Sequence, residues 1–247
     1  SNPDVGAVSA GNTKFALKLY DQLNDEKGNL FLSPYSISTA LSMTYAGARG
    51  DTEAEMAKAL EFHLPQKRLH AGFSDLKLGL REAREKGGVE LSIANALWPQ
   101  KNYRFLPEYL NLIERDYDSV GRSLDYSNSE KARGIINGWV EQETNDKIKN
   151  LIPSGVLDSL TRMVLTNAIY FKGNWDVQFK EKSTRETPFK VSSTKQVKTQ
   201  MMYQKGNFGY FQDDDVQVLE MPYKGDKVSM FGLLPNQGGG QPFRRPT

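Results

Sequence analysis

Apolar residues crowd positions 164–171. Val164, Leu165, Ile169, Tyr170 and Phe171 leave no charged face of the kind a surface helix needs, and Lys172, Gly173 and Asn174 close the run. The pattern over 164–175 predicts a strand buried on both faces and ended by a turn. Asn167 is its odd member. A buried amide costs free energy unless its donor and acceptor are both matched, so Asn167 is expected to hydrogen-bond outside its own strand.

Upstream, the hydrophobic period is helical. Ala16, Leu19, Tyr20 and Leu23 recur at helix spacing and predict an amphipathic surface helix that stops before Gly28. Residues 29–32 read as a short apolar strand. Ser33 and Pro34 then open a second helix as its N-cap and first residue. Ile37, Ala40, Leu41, Met43 and Tyr45 make that helix apolar nearly all round, so it is expected to run through the core. Thr52 and Glu55 have the spacing of a capping box and predict a third helix. Beyond Pro65, Phe73, Leu76 and Leu80 form one stripe on a more polar helix over 69–86. Residues 89–98 form a second apolar run, with Asn95 as its polar exception and Pro99 at its end. A helix over 107–116 follows. Another is launched by the capping pair Ser127 and Glu130 and carries Ala132, Ile135, Ile136, Trp139 and Val140 on the face that packs.

Past residue 175 the period changes to two. Val197, Thr199, Met201 and Tyr203 share a face. Runs at 207–211, 216–221 and 228–234 are separated by turns at Lys205-Gly206, Asp213–Asp215 and Lys224–Asp226, which predicts an antiparallel meander. After Pro235 the pattern fails. The expectation is a single domain over 1–235 and an irregular tail over 236–247, with its three consecutive glycines.

Composition narrows the function classes. Lys and Arg number 32 against 30 Asp and Glu, so no global field recruits nucleic acid or an acidic membrane. The absence of cysteine excludes a disulfide scaffold, a zinc–thiolate site and a thiol nucleophile. The first fifteen residues have neither a basic start nor an apolar core, so no signal peptide is expected; an extracellular chain stripped of its leader and a cytoplasmic one would read alike. Lys67, Arg68, Lys77, Arg81 and Arg84 in or beside the helix over 69–86 are candidates for a weak polyanion patch, for instance toward a sulfated glycan. Asp75, Glu82 and Glu85 interleave with them, which favours an ordinary solvated face.

Catalytic chemistry is missing. The two histidines, His63 and His70, lie in polar helical surroundings, with no GxSxG or HExxH around them, and are expected at the surface. Asp213, Asp214 and Asp215 lack the spacing of a calcium loop and are expected to solvate a hairpin. No catalytic residue, metal site or cofactor is expected, and the chain does not read as an enzyme.

Seven segments together resemble the serpin family of serine protease inhibitors: residues 29–52, NLFLSPYSISTALSMTYAGARGDT; NALW at 95–98; INGWVEQETNDKI at 136–148; LTNAIYFKGNW at 165–175; TPF at 187–189; Met201-Met202; and MPYKG at 221–225. They follow the family's order. The resemblance implies an α+β fold with a large central mixed β-sheet, further antiparallel sheets and surrounding helices, one of them (129–149) across the face of the large sheet. In active relatives a protease cuts an exposed loop near the C-terminus, and the loop inserts into that sheet with the enzyme trapped on it. Ser33, Ser36 and Asn167 take the family positions of the shutter, the polar gate between central strands, and Trp175 those of the breach, where insertion begins. The partner implied is a serine or cysteine protease. The segments expected after Leu234, including the reactive loop, have no counterpart in the sequence, so the fold is expected to be C-terminally incomplete, its sheet edges open to self-association, and the chain alone non-inhibitory. The alternatives are a non-inhibitory binding or carrier protein on the same fold, or an inactive truncated product.

Overall fold

A computed structural model describes residues 2–24, 28–85, 88–119, 122–191 and 194–236; the tail expectation therefore lies, beyond residue 236, outside the described residues. The chain folds as two compact units, the first of residues 1–23, 28–80 and 91–170, the second of residues 24–27, 81–90 and 171–247.

The first unit is built on residues 91–99 and 163–170 of a two-stranded ribbon, β1 (Val89–Pro99) beside β2 (Met163–Gly173). The Gln100 N–H donates to Arg162 O and the Asn174 N–H to Gly88 O, so the strands run in opposite directions. Among the described residues these two strands represent the central sheet that the resemblance implies. On one face, Ala94 and Ala168 pack against Val140 of α6 (Ser129–Glu143), and Trp98 meets Trp139 edge-on at 5.5 Å. On the other, Leu97 joins a cluster made by α1 (Pro3–Leu23), α2 (Pro34–Tyr45), α4 (Gln66–Glu85) and α5 (Pro107–Tyr117), in which Met43, Phe73 and Ile113 are buried. Each such side chain contributes about 1.5–3 kcal/mol on burial.

The alternation explains one correction. β2 is not buried on both faces: only Thr166 and Ala168 are fully covered, because β1 is its one strand neighbour among the described residues and the other edge admits solvent. A second correction concerns residues 29–32, which form no strand. The segment has no pairing partner among the described residues, and Phe31 is 97% exposed.

Helix ends differ in two places. α3 (Gly50–Leu60) starts before the Thr52–Glu55 box, with Arg49 at the N-cap and no side-chain cap bond; Gly50, at φ +62°, makes the turn. At α6 the cap is Asn128, whose Oδ1 accepts from Lys131 N at 3.3 Å. Ser127 lies one residue too early, inside the 3-10 turn Tyr126–Asn128 that Asp125 caps by accepting the Ser127 N–H (3.0 Å) and hydroxyl (2.6 Å). α6 ends at Glu143, short of residue 149, because Asn145 and Asp146 turn to positive φ and Thr144 bonds back to Val140 O.

His70 is the third correction. It is not at the surface but fully buried, its Nδ1 2.5 Å from the Tyr117 hydroxyl and its ring among Tyr45 and Tyr117. Polar neighbours in sequence misled because the helix turns His70 to the same side as Phe73, in the stripe that faces the core. His63 is exposed and pairs with Glu61 at 3.1 Å.

The second unit is all β in its named C-terminal strands. β3 (Arg185–Lys190) and β4 (Gln196–Met201) form an antiparallel hairpin, Thr187 opposite Thr199. β5 (Gly209–Gln212), β6 (Val216–Pro222) and β7 (Ser229–Pro235) form the antiparallel meander that the alternation predicts. Asp213 organises its first turn, Oδ1 accepting from Asp215 N (2.9 Å) and Val216 N (2.8 Å), and these backbone donors hold its carboxyl below the usual range.

Candidate functional site

A chain of side-chain hydrogen bonds crosses one face of the β1–β2 ribbon. The Ser36 hydroxyl on α2 donates to Asn167 Oδ1 on β2, and Asn167 Nδ2 donates to Asn95 Oδ1 on β1. Asn167 thus finds its partners outside its own strand. Ser36 is held in turn by the start of its helix, where Ser33 Oγ accepts the Ser36 N–H at 3.4 Å and caps α2. Helix propensity and the site are coupled here: Pro34 fixes the first turn, the cap fixes Ser36, and Ser36 fixes one end of the amide.

Chemically, this is a bridge with no titrating group. Its members carry no charge and exchange no proton at physiological pH, so what it offers is position. Because each bond joins a different pair of elements, the bridge can break and reform with other polar partners, while the strands' own backbone ladder is untouched. Ser36 is buried and the two amides are half-buried, so an unmade bond here is costly. Asn95 belongs to the bridge although its family position alone does not place it there; its signal is that it interrupts an apolar run as Asn167 does.

A second polar link lies on the opposite face, where the Trp98 indole N–H donates to Thr166 Oγ1 at 2.9 Å. Nearby, Asn137 on α6 clamps residue 152 through both backbone groups, Nδ2 to Ile152 O at 3.0 Å and Oδ1 from Ile152 N at 2.9 Å. Neither Thr166 nor Asn137 stands out in the sequence, since each interrupts its apolar pattern with a side chain ordinary for a helix or strand.

Trp175 lies in the second unit. Its indole stacks on Tyr223 at 4.5 Å and 11°, with Phe179 edge-on at 6.2 Å. The stack joins two of the family-like segments, 165–175 and 221–225, through a bridge between Trp175 and Tyr223 and the bond from Asp176 N to Pro222 O. Gly173 makes it possible: a Cβ there would lie 2.4 Å from the Tyr223 ring.

The cations of α4 are partly engaged. Arg68 chelates Asp4 at 3.1 and 2.5 Å, which holds that carboxyl below its usual range, and Lys77 pairs with Asp118 at 3.1 Å. Lys67 and Arg84 are exposed, and Arg81 has a partner of its own. Among the described residues no three His, Asp or Glu side chains converge as a metal site requires, and no helix is long and apolar enough to cross a membrane.

Comparison with known proteins agrees with this architecture. The family model for serpins, the serine protease inhibitors, matches residues 10–243. The leukocyte elastase inhibitor of Bos taurus is 43% identical over 234 residues, which cover 93% of this chain and 61% of the relative. Human serpin B4 is 38% identical over 252 residues, covering 94% and 64%. Emu ovalbumin superposes with a TM-score of 0.85 at 34% identity, covering 93% of this chain and 64% of its own. The chain spans about three-fifths of the length of the leukocyte elastase inhibitors it matches, 61% in the bovine and human proteins. On the family match over 10–243 and the shared fold, the chain belongs to the serpin family.

Proposed function

We propose that these residues form the body of a suicide-type inhibitor of serine proteases, which in complete form traps its target by inserting a cleaved loop beside β2. The carrying observation is the Ser36–Asn167–Asn95 bridge. By family position Ser33, Ser36 and Asn167 would form the gate that a new strand has to pass, and the bridge supports that reading by tying Ser36 on the helix to both strands. By its family position Trp175 takes the part of the breach in this reading. Residues 1–247 contain no segment with the character of a reactive loop, so alone they trap nothing.

The test uses the chain extended to the length of its relatives and incubated with an elastase-type protease. A covalent complex that survives boiling in detergent is expected, and residues 1–247 alone should give none. Cleavage of the extended protein without complex, and without a rise in thermal stability, would overturn the inhibitor reading in favour of a non-inhibitory carrier.

A second reading follows from β7, the outer strand of its sheet among the described residues, where Leu233 is 53% and Leu234 62% exposed. An apolar unpaired edge is a template for another chain. Residues 1–247 should therefore self-associate through β7, with sedimentation coefficients that rise with concentration and return to the monomer value in Leu233→Lys. A concentration-independent monomer overturns it. Polyanion binding by Lys67, Arg68, Lys77, Arg81 and Arg84 is tested by elution from a heparin column; release below physiological salt dismisses the patch.

A further inference from the structure

A cleft of about 420 Å³ opens in the first unit between the C-terminal end of α2, α3, the loop before α5 and the first residue of β2. It takes no part in the bridge. Ala48, Met56, Phe105, Leu106 and Met163 make its walls apolar. Its polar groups are few and of one kind: the Thr44 and Thr52 hydroxyls, the Tyr109 phenol, which burial holds protonated above its ordinary range, and the Arg104 guanidinium. No carboxylate lines it. The volume and the ratio of apolar wall to polar anchor are those of a small-molecule site.

Two features make the cleft a site instead of an accident of packing. Arg104 is the one charged residue lining the cleft, and it takes part in none of the ion pairs among the described residues. Arg104 is exposed, and its loop neighbour Leu106 in the cleft wall is 64% exposed, so the cation and an apolar wall both face solvent at the mouth. Gly47 leaves the floor open beside Tyr109: a Cβ there would touch the ring at 3.4 Å, and any larger side chain would project into the space.

We propose that this cleft binds a small amphipathic anion, a medium-chain carboxylate in chemical class. The chain lies between Met56, Met163 and Phe105, and the carboxylate meets Arg104 at the mouth. The ligand's two halves answer the two unmet needs of the site, apolar cover and a counter-charge. A neutral alcohol of the same length satisfies only the first, and an alkylammonium is repelled.

Calorimetric titration of residues 1–247 with decanoate, decanol and decylammonium, each below its micelle concentration, tests this. Decanoate should bind saturably at one per chain, decanol more weakly, and decylammonium not at all. Arg104→Leu, on an exposed loop, should weaken decanoate roughly tenfold, the loss of one charge-assisted contact, and leave decanol unchanged. Gly47→Leu and Thr44→Trp are two independent plugs, and each should abolish decanoate binding in protein whose melting temperature is retained. Equal affinity for the three probes, an Arg104→Leu variant that binds decanoate as before, or binding that survives a folded plug would overturn the proposal, as would no saturable binding at all.

Discussion

His70 Nδ1 lies 2.5 Å from the Tyr117 hydroxyl, where the histidine has no exposure to solvent and the tyrosine 4%. Burial drives the imidazole down from 6.5 to about 4, with Asp116 pulling it up and Arg115 and Arg49 adding to the depression. Its Nε2 has no hydrogen-bond partner, so a second proton there would be unsupported. The unfolded chain therefore binds a proton that the folded chain refuses. Stability is unaffected by His70 above about pH 6.5 and is lost as pH falls from there toward 4. Between pH 8 and pH 5 the loss should be about 2 kcal/mol, read as a lower urea midpoint. His70→Gln should flatten that window, and an unchanged slope would remove His70 as its cause.

Replacing Asn167 with alanine leaves the Ser36 hydroxyl and the Asn95 amide without their partner in a partly dry setting. The expected cost is about 1–3 kcal/mol of unfolding free energy. Because Ser36 and Asn95 act through the same amide, Asn167→Ala combined with Ser36→Ala should cost less than the sum of the two. Additive losses would mean that the three side chains are not one unit.

Asn137 mimics a strand neighbour for residue 152, donating to its carbonyl and accepting from its amide. Asn137→Ala strands the N–H of Ile152, whose side chain is buried, while Arg133 Nη1 at 3.3 Å still serves its carbonyl, and should cost about 1–3 kcal/mol. Amide exchange at residue 152 should accelerate before global unfolding does. Equal protection in variant and parent would discount the clamp.

In the Trp175–Tyr223 stack the tolerance is set by a residue that touches neither ring's function. Gly173→Ala places a methyl 2.4 Å from the tyrosine ring, so the stack must separate. The near-ultraviolet dichroism of the aromatic residues should fall, and stability drop by about 1–3 kcal/mol as in other overpacked sites. Retained dichroism would show that the ring gives way cheaply.

The pattern of apolar residues located the helices and both long strands, because period and turn chemistry are local properties. The Asn167 partnership was legible for the same reason: a buried amide announces a need, and Asn95 and Ser36 met it. What the pattern missed depends on neighbours distant in sequence. The exposure of residues 29–32 is decided by whether another strand lies alongside. The burial of His70 is decided by α5, which brings Tyr117 to it across 47 residues. Ser127 and Asn128 are equally good caps on paper, and the 3-10 turn that Asp125 caps, which takes in Ser127, chooses between them. The cleft beside Arg104 has no sequence signature, since its residues come from α2, α3, β2 and one loop.

Phe31 makes a natural spectroscopic window. At 97% exposure it tolerates an indole, and Trp98, at 1%, emits from a dry environment. Phe31→Trp therefore adds a red-shifted component to the emission. A protein segment, a second copy or a chaperone surface that comes to rest on residues 29–32 would announce itself as a blue shift and as protection from iodide quenching. The segment that has, among the described residues, no neighbour to define it as a strand thus becomes the place from which the arrival of one is watched.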